Sequence, residues 1–169
     1  MDQSVKEISP NEIEDARLGY QAASDLATFY GGAIWSMFNA MLVANSIVVA
    51  GATFVLSGSS SLLLLKNLLP IIGLLLCFTW FLLVKRAHEY SAYYILSARE
   101  IEERYLSDAV KTLARGGVFG SGKVVTFKLG GTEVTRRMSF WARLIRNEIV
   151  SYLIILIFVA VYIGIFFQP

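Results

Sequence analysis

Five side chains that follow a long apolar run carry groups able to support acid–base chemistry: His88, Glu89, Tyr93, Tyr94 and Glu100. His88 is the single histidine of the chain, and no carboxylate cluster surrounds it at the spacing that metal ligands require. Aromatic residues at helical spacing beside a membrane usually pack against one another. We therefore predict that the protein is not an enzyme and holds neither a metal nor a cofactor.

A second candidate is a match by letter to the phosphate-binding loop, Gly117-x-x-x-x-Gly122-Lys123. That loop follows a strand, opens a helix and carries a hydroxyl residue after its lysine. Here a predicted helix precedes the glycines, a predicted strand follows them, and Val124 occupies the hydroxyl position. We interpret the match as accidental, although an anion could still bind the loop amides.

Three apolar stretches must position these residues, at 31–57, 62–84 and 149–167. The last is free of charged residues and, at about 1.5 Å of rise per residue, spans the roughly 30 Å hydrocarbon layer of a bilayer. The single cysteine, Cys77, lies in the second stretch and is predicted to be a small hydrophobic residue. The expected fold is a mainly α membrane protein with three transmembrane helices. A short turn at 58–61 makes residues 29–84 an antiparallel transmembrane hairpin.

Four polar residues of the first span are candidates for contacts inside the membrane: Ser36, Asn39, Asn45 and Ser46. An amide in hydrocarbon needs a partner, so these residues predict contacts with other helices on more than one side. The alternative is that they line a polar pore. Residues placed to anchor the spans at the membrane interfaces are Lys66, Trp80, Lys85, Arg86, Arg143 and Arg146.

The segments outside the spans differ in charge. Residues 1–28 are predicted to form an acidic amphipathic helix with Asn11 as its N-cap, and they hold two basic against six acidic residues. Residues 85–148 hold twelve basic against seven acidic residues. They predict a long helix that continues the second span to Arg115, then a β-hairpin with strands at 123–129 and 132–137.

This charge distribution predicts the topology. Basic clusters at both ends of residues 85–148 place that segment, and with it the N-terminus, in the cytoplasm. The C-terminus then lies on the far side of a multi-pass protein. Nucleic acid would need the same basic residues, but their position beside the spans makes orientation on membrane lipids the stronger explanation.

Three segments carry a family resemblance: WSMFNAMLVANS in the first span, VKRAHEYSAYYILSAREIEERYL after the second, and SFWARLIRNEIVSYLIILIF before and within the third. With these the chain resembles the RipA family of small bacterial inner-membrane proteins. The resemblance implies an octamer in the inner membrane and no enzyme chemistry, and the founding member is linked to bacterial growth inside host cells. The chain also resembles, more weakly, the two-span membrane effectors of bacterial defence systems, from which its third span departs.

A membrane enzyme is the least favoured of three hypotheses, and two other functions stay open. One is a homo-oligomeric scaffold, sensor or stress and host-adaptation component with a cytoplasmic collar, whose partners are its own copies, membrane lipids and an unidentified cytoplasmic protein. The other is a channel or regulated pore, including a membrane-disrupting defence effector, lined by Ser36, Asn39 and Ser46.

Overall fold

The computed structural model describes residues 9–57, 63–107 and 110–168. The predicted turn at 58–61 lies outside these residues. The elements in chain order are α1 (Pro10–Ser57), α2 (Leu63–Tyr105), α3 (Thr112–Gly120), β1 (Val125–Leu129), β2 (Thr132–Arg136), α4 (Phe140–Leu144) and α5 (Asn147–Phe166). The mainly helical fold and the small hairpin predicted from the sequence are confirmed.

Among the described residues, three helices are long and apolar enough to cross a membrane, and they are α1, α2 and α5. The described part of the chain forms two compact units, which we name and treat separately. The membrane unit comprises Tyr30–Glu89 and Ile145–Pro169, and the polar unit comprises Met1–Phe29 and Tyr90–Leu144. The finer division into four segments that the sequence suggests stays a prediction.

Helix α1 begins one residue before the predicted N-cap, so the assignment of Asn11 is wrong. The Ser9 hydroxyl accepts from the Glu12 amide at 3.2 Å, and the Glu12 carboxylate accepts from the Ser9 amide at 2.9 Å. This reciprocal capping box places Pro10 in the first helical position, where its missing N–H costs nothing.

The helix that continues the second span does not reach Arg115. It ends at Tyr105, and a new helix, α3, begins at Thr112. Helical periodicity runs through this region of the sequence, but a long-range contact overrides it: the Glu102 carboxylate of α2 accepts from backbone amides at the start of α3. The glycines that we expected to end the helix instead lie within α3 up to Gly120.

The hairpin pairs β1 and β2 antiparallel, with Lys128 opposite Glu133 and Leu129 opposite Thr132. Its two-residue turn consists of Gly130 and Gly131, with φ of 56° and 84°. Glycine adopts these positive angles without steric cost, which is why this pair favours a tight hairpin turn.

The core of the membrane unit is a cluster of fully or nearly buried side chains drawn from α2 and α5: Cys77, Trp80, Val84, Ile155 and Tyr162. Helix α1 contributes partly buried residues around them, and Phe38 contacts Trp80 edge to face with 5.4 Å between ring centroids. All three spans therefore share one packed centre.

Candidate functional sites

The centre of the membrane unit contains a polar node at Asn45, whose side chain is fully buried. The Tyr162 hydroxyl donates to both the backbone oxygen and Oδ1 of Asn45, at 3.0 and 3.1 Å. The Cys77 thiol donates to the same Oδ1 at 3.4 Å, and Asn45 Nδ2 donates to the Met41 carbonyl at 2.8 Å. Asn45 thus joins one residue of α2 and one of α5 to α1.

Gly73 makes this node possible. A Cβ at this position would overlap the ring of Tyr162. The absence of a side chain lets the aromatic ring lie against the α2 backbone, and the ring position brings the hydroxyl within reach of Asn45. The node consists of an amide, a phenol and a thiol, so its chemistry is that of neutral hydrogen bonds.

The other predicted polar residues of the first span lie on exposed faces of α1. Ser36, Asn39 and Ser46 are all exposed. The Ser46 hydroxyl donates to the Leu42 carbonyl at 2.8 Å. Within the part of the chain that the structure describes, the Asn39 amide has no recorded hydrogen-bond partner. The structure therefore separates Asn39 from Asn45, which the sequence had grouped together.

The predicted anchors occupy different environments. Lys85, Arg86 and Arg146 are exposed, whereas Lys66 and Arg143 are half-buried. Trp80 is fully buried between Phe38 and Phe158, and its indole N–H has no hydrogen-bond partner among the described residues. Its contacts are those of a core residue, because the indole faces neighbouring rings instead of the surface where lipid headgroups would lie.

The polar unit has a node of its own at Glu102, which is also fully buried. Its Oε1 accepts from the Leu113 amide and the Tyr20 hydroxyl, both at 2.9 Å, and Oε2 accepts from the Ala114 amide at 2.6 Å. A carboxylate at the N-terminus of a helix satisfies amides that have no partner within the helix and interacts favourably with its dipole. Glu102 therefore caps α3 from outside its own sequence neighbourhood.

One further contact holds α3 at this node, and the hydrogen bond from Tyr20 holds α1 there. Arg99 lies one turn before Glu102 on α2, and its Nε donates to the Leu113 carbonyl at 3.0 Å. Burial, and then the hydrogen bond and negative charge of Glu102, raise the pKa of the Tyr20 phenol above its ordinary value of 10.0. The phenol is therefore held as a donor.

The residues first considered for acid–base chemistry show packing and pairing. The ring of Tyr93 contacts that of Tyr94 edge to face at 5.2 Å, and Glu100 pairs with Arg104 at 2.7 Å. His88 Nε2 is buried without a hydrogen-bond partner among the described residues, and Glu89 is exposed. In the part of the chain that the structure describes, no group of three or more His, Cys, Asp or Glu could hold a metal ion.

The phosphate-loop match lies at the C-terminus of α3. The Gly122 amide donates to the Phe119 carbonyl at 2.9 Å and the Lys123 amide to the Val118 carbonyl at 3.3 Å, with φ of 81° at Gly122. This is the Schellman arrangement that closes a helix. The amides that would cradle phosphate in a true phosphate loop are therefore used by the helix end.

Comparison with known proteins identifies the family. The model of the octameric membrane protein family (8xMP) matches residues 19–168, which includes all three spans and the polar unit from Gly19 onward. The chain belongs to the octameric membrane protein family. No curated protein matched the chain, and no solved structure matched it. Membership supports a membrane location and self-association, as its three apolar helices and its family's description indicate.

Three residues important to this structure were not singled out from the sequence: Gly73 as a packing site, Tyr162 and Glu102. Tyr162 lies only five residues before the end of the predicted third span, where tyrosines concentrate at the membrane interface, so its position in the sequence does not indicate burial. The sequence around Gly73, which follows Pro70, predicts a kink in the second span and does not predict the packing role. Glu102 carries no local signal, since its partners are eleven and twelve residues away in a separate helix.

Proposed function

We propose that this member of the family forms a homo-octamer in a bacterial inner membrane and acts there as a non-enzymatic scaffold, sensor or stress and host-adaptation component. The resemblance to RipA proteins supports the bacterial setting, and the family's description supports the number eight. The observation that carries the proposal is the exposed amide of Asn39 in the first span.

An exposed amide in a transmembrane helix is costly when lipid is its only neighbour. A polar group without a hydrogen bond in hydrocarbon costs roughly 2 kcal/mol or more. A facing helix from another copy would satisfy Asn39, and interhelical hydrogen bonds of this kind are common in membrane bundles. Asn39 therefore favours a surface between copies over a surface against lipid.

The same side of α1 has the residue sizes that such a contact needs. Gly32, Ser36 and Ala40 recur every four residues and are all exposed. Small residues at this spacing let two helix backbones approach closely, which is the usual basis of association in membranes. We name the exposed residues Gly32, Ser36, Asn39 and Ala40 the assembly face.

We further propose that the polar unit and the N-terminus lie in the cytoplasm, because residues 85–148 carry the basic excess. An octamer with this topology would present eight polar units as a collar on one side of the membrane. A cytoplasmic partner would meet that collar.

Native mass spectrometry of the purified protein in lipid nanodiscs, with lipid removed in stages, tests the proposal. We expect one closed stoichiometry of eight chains, each of 18.8 kDa. A mass distribution dominated by monomer or dimer at all stages of lipid removal would contradict it.

A channel is the second candidate, and the hydroxyl and amide groups of Ser36, Asn39 and Ser46 on exposed faces of α1 favour it. In a ring, that face could line a lumen that is polar but carries no charged ring to select ions. Liposomes containing the protein should then leak a small dye. Absence of leakage from liposomes that hold the verified octamer would exclude an open pore and leave the scaffold.

A further inference from the structure

The segment between β2 and α5 contains a cavity with two guanidinium groups in its lining. The cavity has a volume of about 370 Å³ and is lined by Arg137, Met138, Ser139, Phe140 and Arg143. No carboxylate is among these residues, and no ion pair joins either arginine to an acidic side chain in the part of the chain that the structure describes. Two cations that share a cavity repel each other, so an anion in this cavity stabilises both.

Both guanidinium groups are positioned by the backbone at Gly122, which is buried. Arg137 Nε donates to the Gly122 carbonyl at 2.9 Å, which leaves the terminal nitrogens of Arg137 for a ligand. The Arg143 side chain lies against Gly122 itself, where a Cβ would come within 2.6 Å of Cδ. A guanidinium that is already held loses little further freedom when it binds an anion, which favours recognition of phosphate oxygens.

The apolar side chains next to this cavity are suited to the headgroup region of a membrane. Phe140, Trp141 and Leu144 of α4 are all exposed, and the rings of Phe140 and Trp141 contact each other edge to face. Leu144 precedes the first residue of α5 by three positions, a length of chain that spans at most about 11 Å. The chain connection therefore keeps α4 close to the start of the third span, where exposed aromatic side chains are favourable at the membrane surface.

We propose that this cavity binds the headgroup phosphate of an anionic phospholipid through Arg137 and Arg143. Guanidinium groups form strong, charge-assisted hydrogen bonds with phosphate oxygens. A zwitterionic lipid is disfavoured, because its ammonium group would lie close to two cations. A soluble phosphate offers the same oxygens, but it would leave the exposed apolar side chains of α4 in water.

The proposed site goes beyond the anchoring role that the sequence predicts for Arg143. The structure adds Arg137 as its partner and Gly122 as the residue that positions both. All three lie in the polar unit of one chain, so binding does not depend on the proposed octamer.

Native mass spectrometry of the full chain tests the proposal, in nanodiscs of equal parts phosphatidylglycerol and phosphatidylcholine. On partial removal of lipid, we expect the wild type to retain phosphatidylglycerol in preference to phosphatidylcholine. In the double variant Arg137→Gln/Arg143→Gln this preference should fall about tenfold. The control Lys128→Gln/Arg136→Gln removes the same charge from the hairpin, outside the cavity, and should change the preference less than twofold.

Arg143→Gln is a second variant, because it keeps the hydrogen bond between Arg137 and Gly122. It should unfold in detergent like the wild type and still lower the preference about threefold. An unchanged preference in both cavity variants, or an equal loss in the hairpin control, would overturn the proposal whatever the oligomeric mass.

A soluble ligand is tested by isothermal titration calorimetry with inorganic phosphate, on the wild type in nanodiscs of phosphatidylcholine. We expect no measurable heat of binding. Binding of inorganic phosphate that is lost in the cavity variants, without a preference for phosphatidylglycerol, would overturn the lipid as the ligand.

Discussion

The two asparagines of the first span differ in where their hydrogen bonds are made. Asn45 is fully buried and is joined to Cys77 and Tyr162 within one chain. Asn39 lies less than two turns earlier on the same helix and is exposed. The Asn45 amide forms its hydrogen bonds within the folded chain, whereas the exposed Asn39 amide supports the proposed contact between copies. A polar residue in a span therefore indicates a helix contact, but its burial in the single chain decides whether that contact belongs to folding or to assembly.

Among the changes that test folding, Gly73→Ala should have the largest effect on the free energy of unfolding. The added methyl group overlaps the Tyr162 ring, which must move and lose its hydrogen bonds to Asn45. Overpacking together with a broken polar contact should lower the free energy of unfolding by about 3 kcal/mol, measured by denaturant titration in detergent.

The matched control is Gly164→Ala in α5, where a Cβ would have no heavy atom within 4 Å. We expect it to unfold like the wild type. Equal stability of the Gly73 and Gly164 variants would show that the Tyr162 ring does not need this space.

Glu102 in the polar unit is a third polar group to compare with the two asparagines. Its buried carboxylate forms its hydrogen bonds within the chain and lies outside the predicted spans. Glu102→Gln leaves one α3 amide facing a donor in place of an acceptor, at a cost of about 2 kcal/mol. Hydrogen exchange should show faster exchange at Leu113 and Ala114.

Glu100→Gln is the control for this change, since Glu100 forms an exposed pair with Arg104 that contributes little. Its α3 amides should exchange at the wild-type rate. Unchanged protection in the Glu102 variant would mean that α3 is held by packing alone.

A smaller effect is expected from Tyr162→Phe, which keeps the ring and removes only the hydroxyl. Hydrogen bonds between membrane helices contribute about 1 kcal/mol, so the free energy of unfolding should fall by about that amount. Tyr93→Phe, at an exposed ring, should be neutral. If Tyr162→Phe lowered the free energy of unfolding as much as Gly73→Ala does, the hydroxyl alone would account for the contribution of the node.

The smallest effect concerns Tyr20 and pH. The pKa of its phenol is raised above 10.0 by burial and by Glu102, so the stabilising contribution of the protonated phenol is complete below pH 10. It is lost as the pH rises through the higher folded-state value. Ultraviolet titration should show one fewer late-ionising tyrosine in Tyr20→Phe than in the wild type. A wild-type curve identical to that of the variant, apart from one ordinary tyrosine, would contradict this.

The sequence was sufficient for the elements that depend on local pattern. The absence of charge over 149–167 predicted the third span, and β-branched residues on both sides of Gly130 and Gly131 predicted the hairpin. It failed where distant contacts decide the outcome. The break after Tyr105 depends on Glu102 and amides of another helix, and the burial of Trp80 depends on rings from two other spans.

The candidate sites follow the same division. Composition alone indicated that Asn39 and Asn45 need partners, because that follows from the solvent that surrounds a span. Only the packed chain separates the two residues, since the ring that reaches Asn45 comes from a residue 117 positions away.

The central claim is that the assembly face joins copies of the chain, and one paired measurement tests it most directly. Native mass spectrometry in nanodiscs should be performed on Asn39→Leu and Asn45→Leu, with unfolding in detergent measured alongside. For Asn39→Leu we expect a stable chain whose octamer dissociates to smaller species. For Asn45→Leu we expect the free energy of unfolding to fall clearly, and the fraction of octamer to fall less. An Asn39→Leu protein that remains fully octameric would contradict the claim.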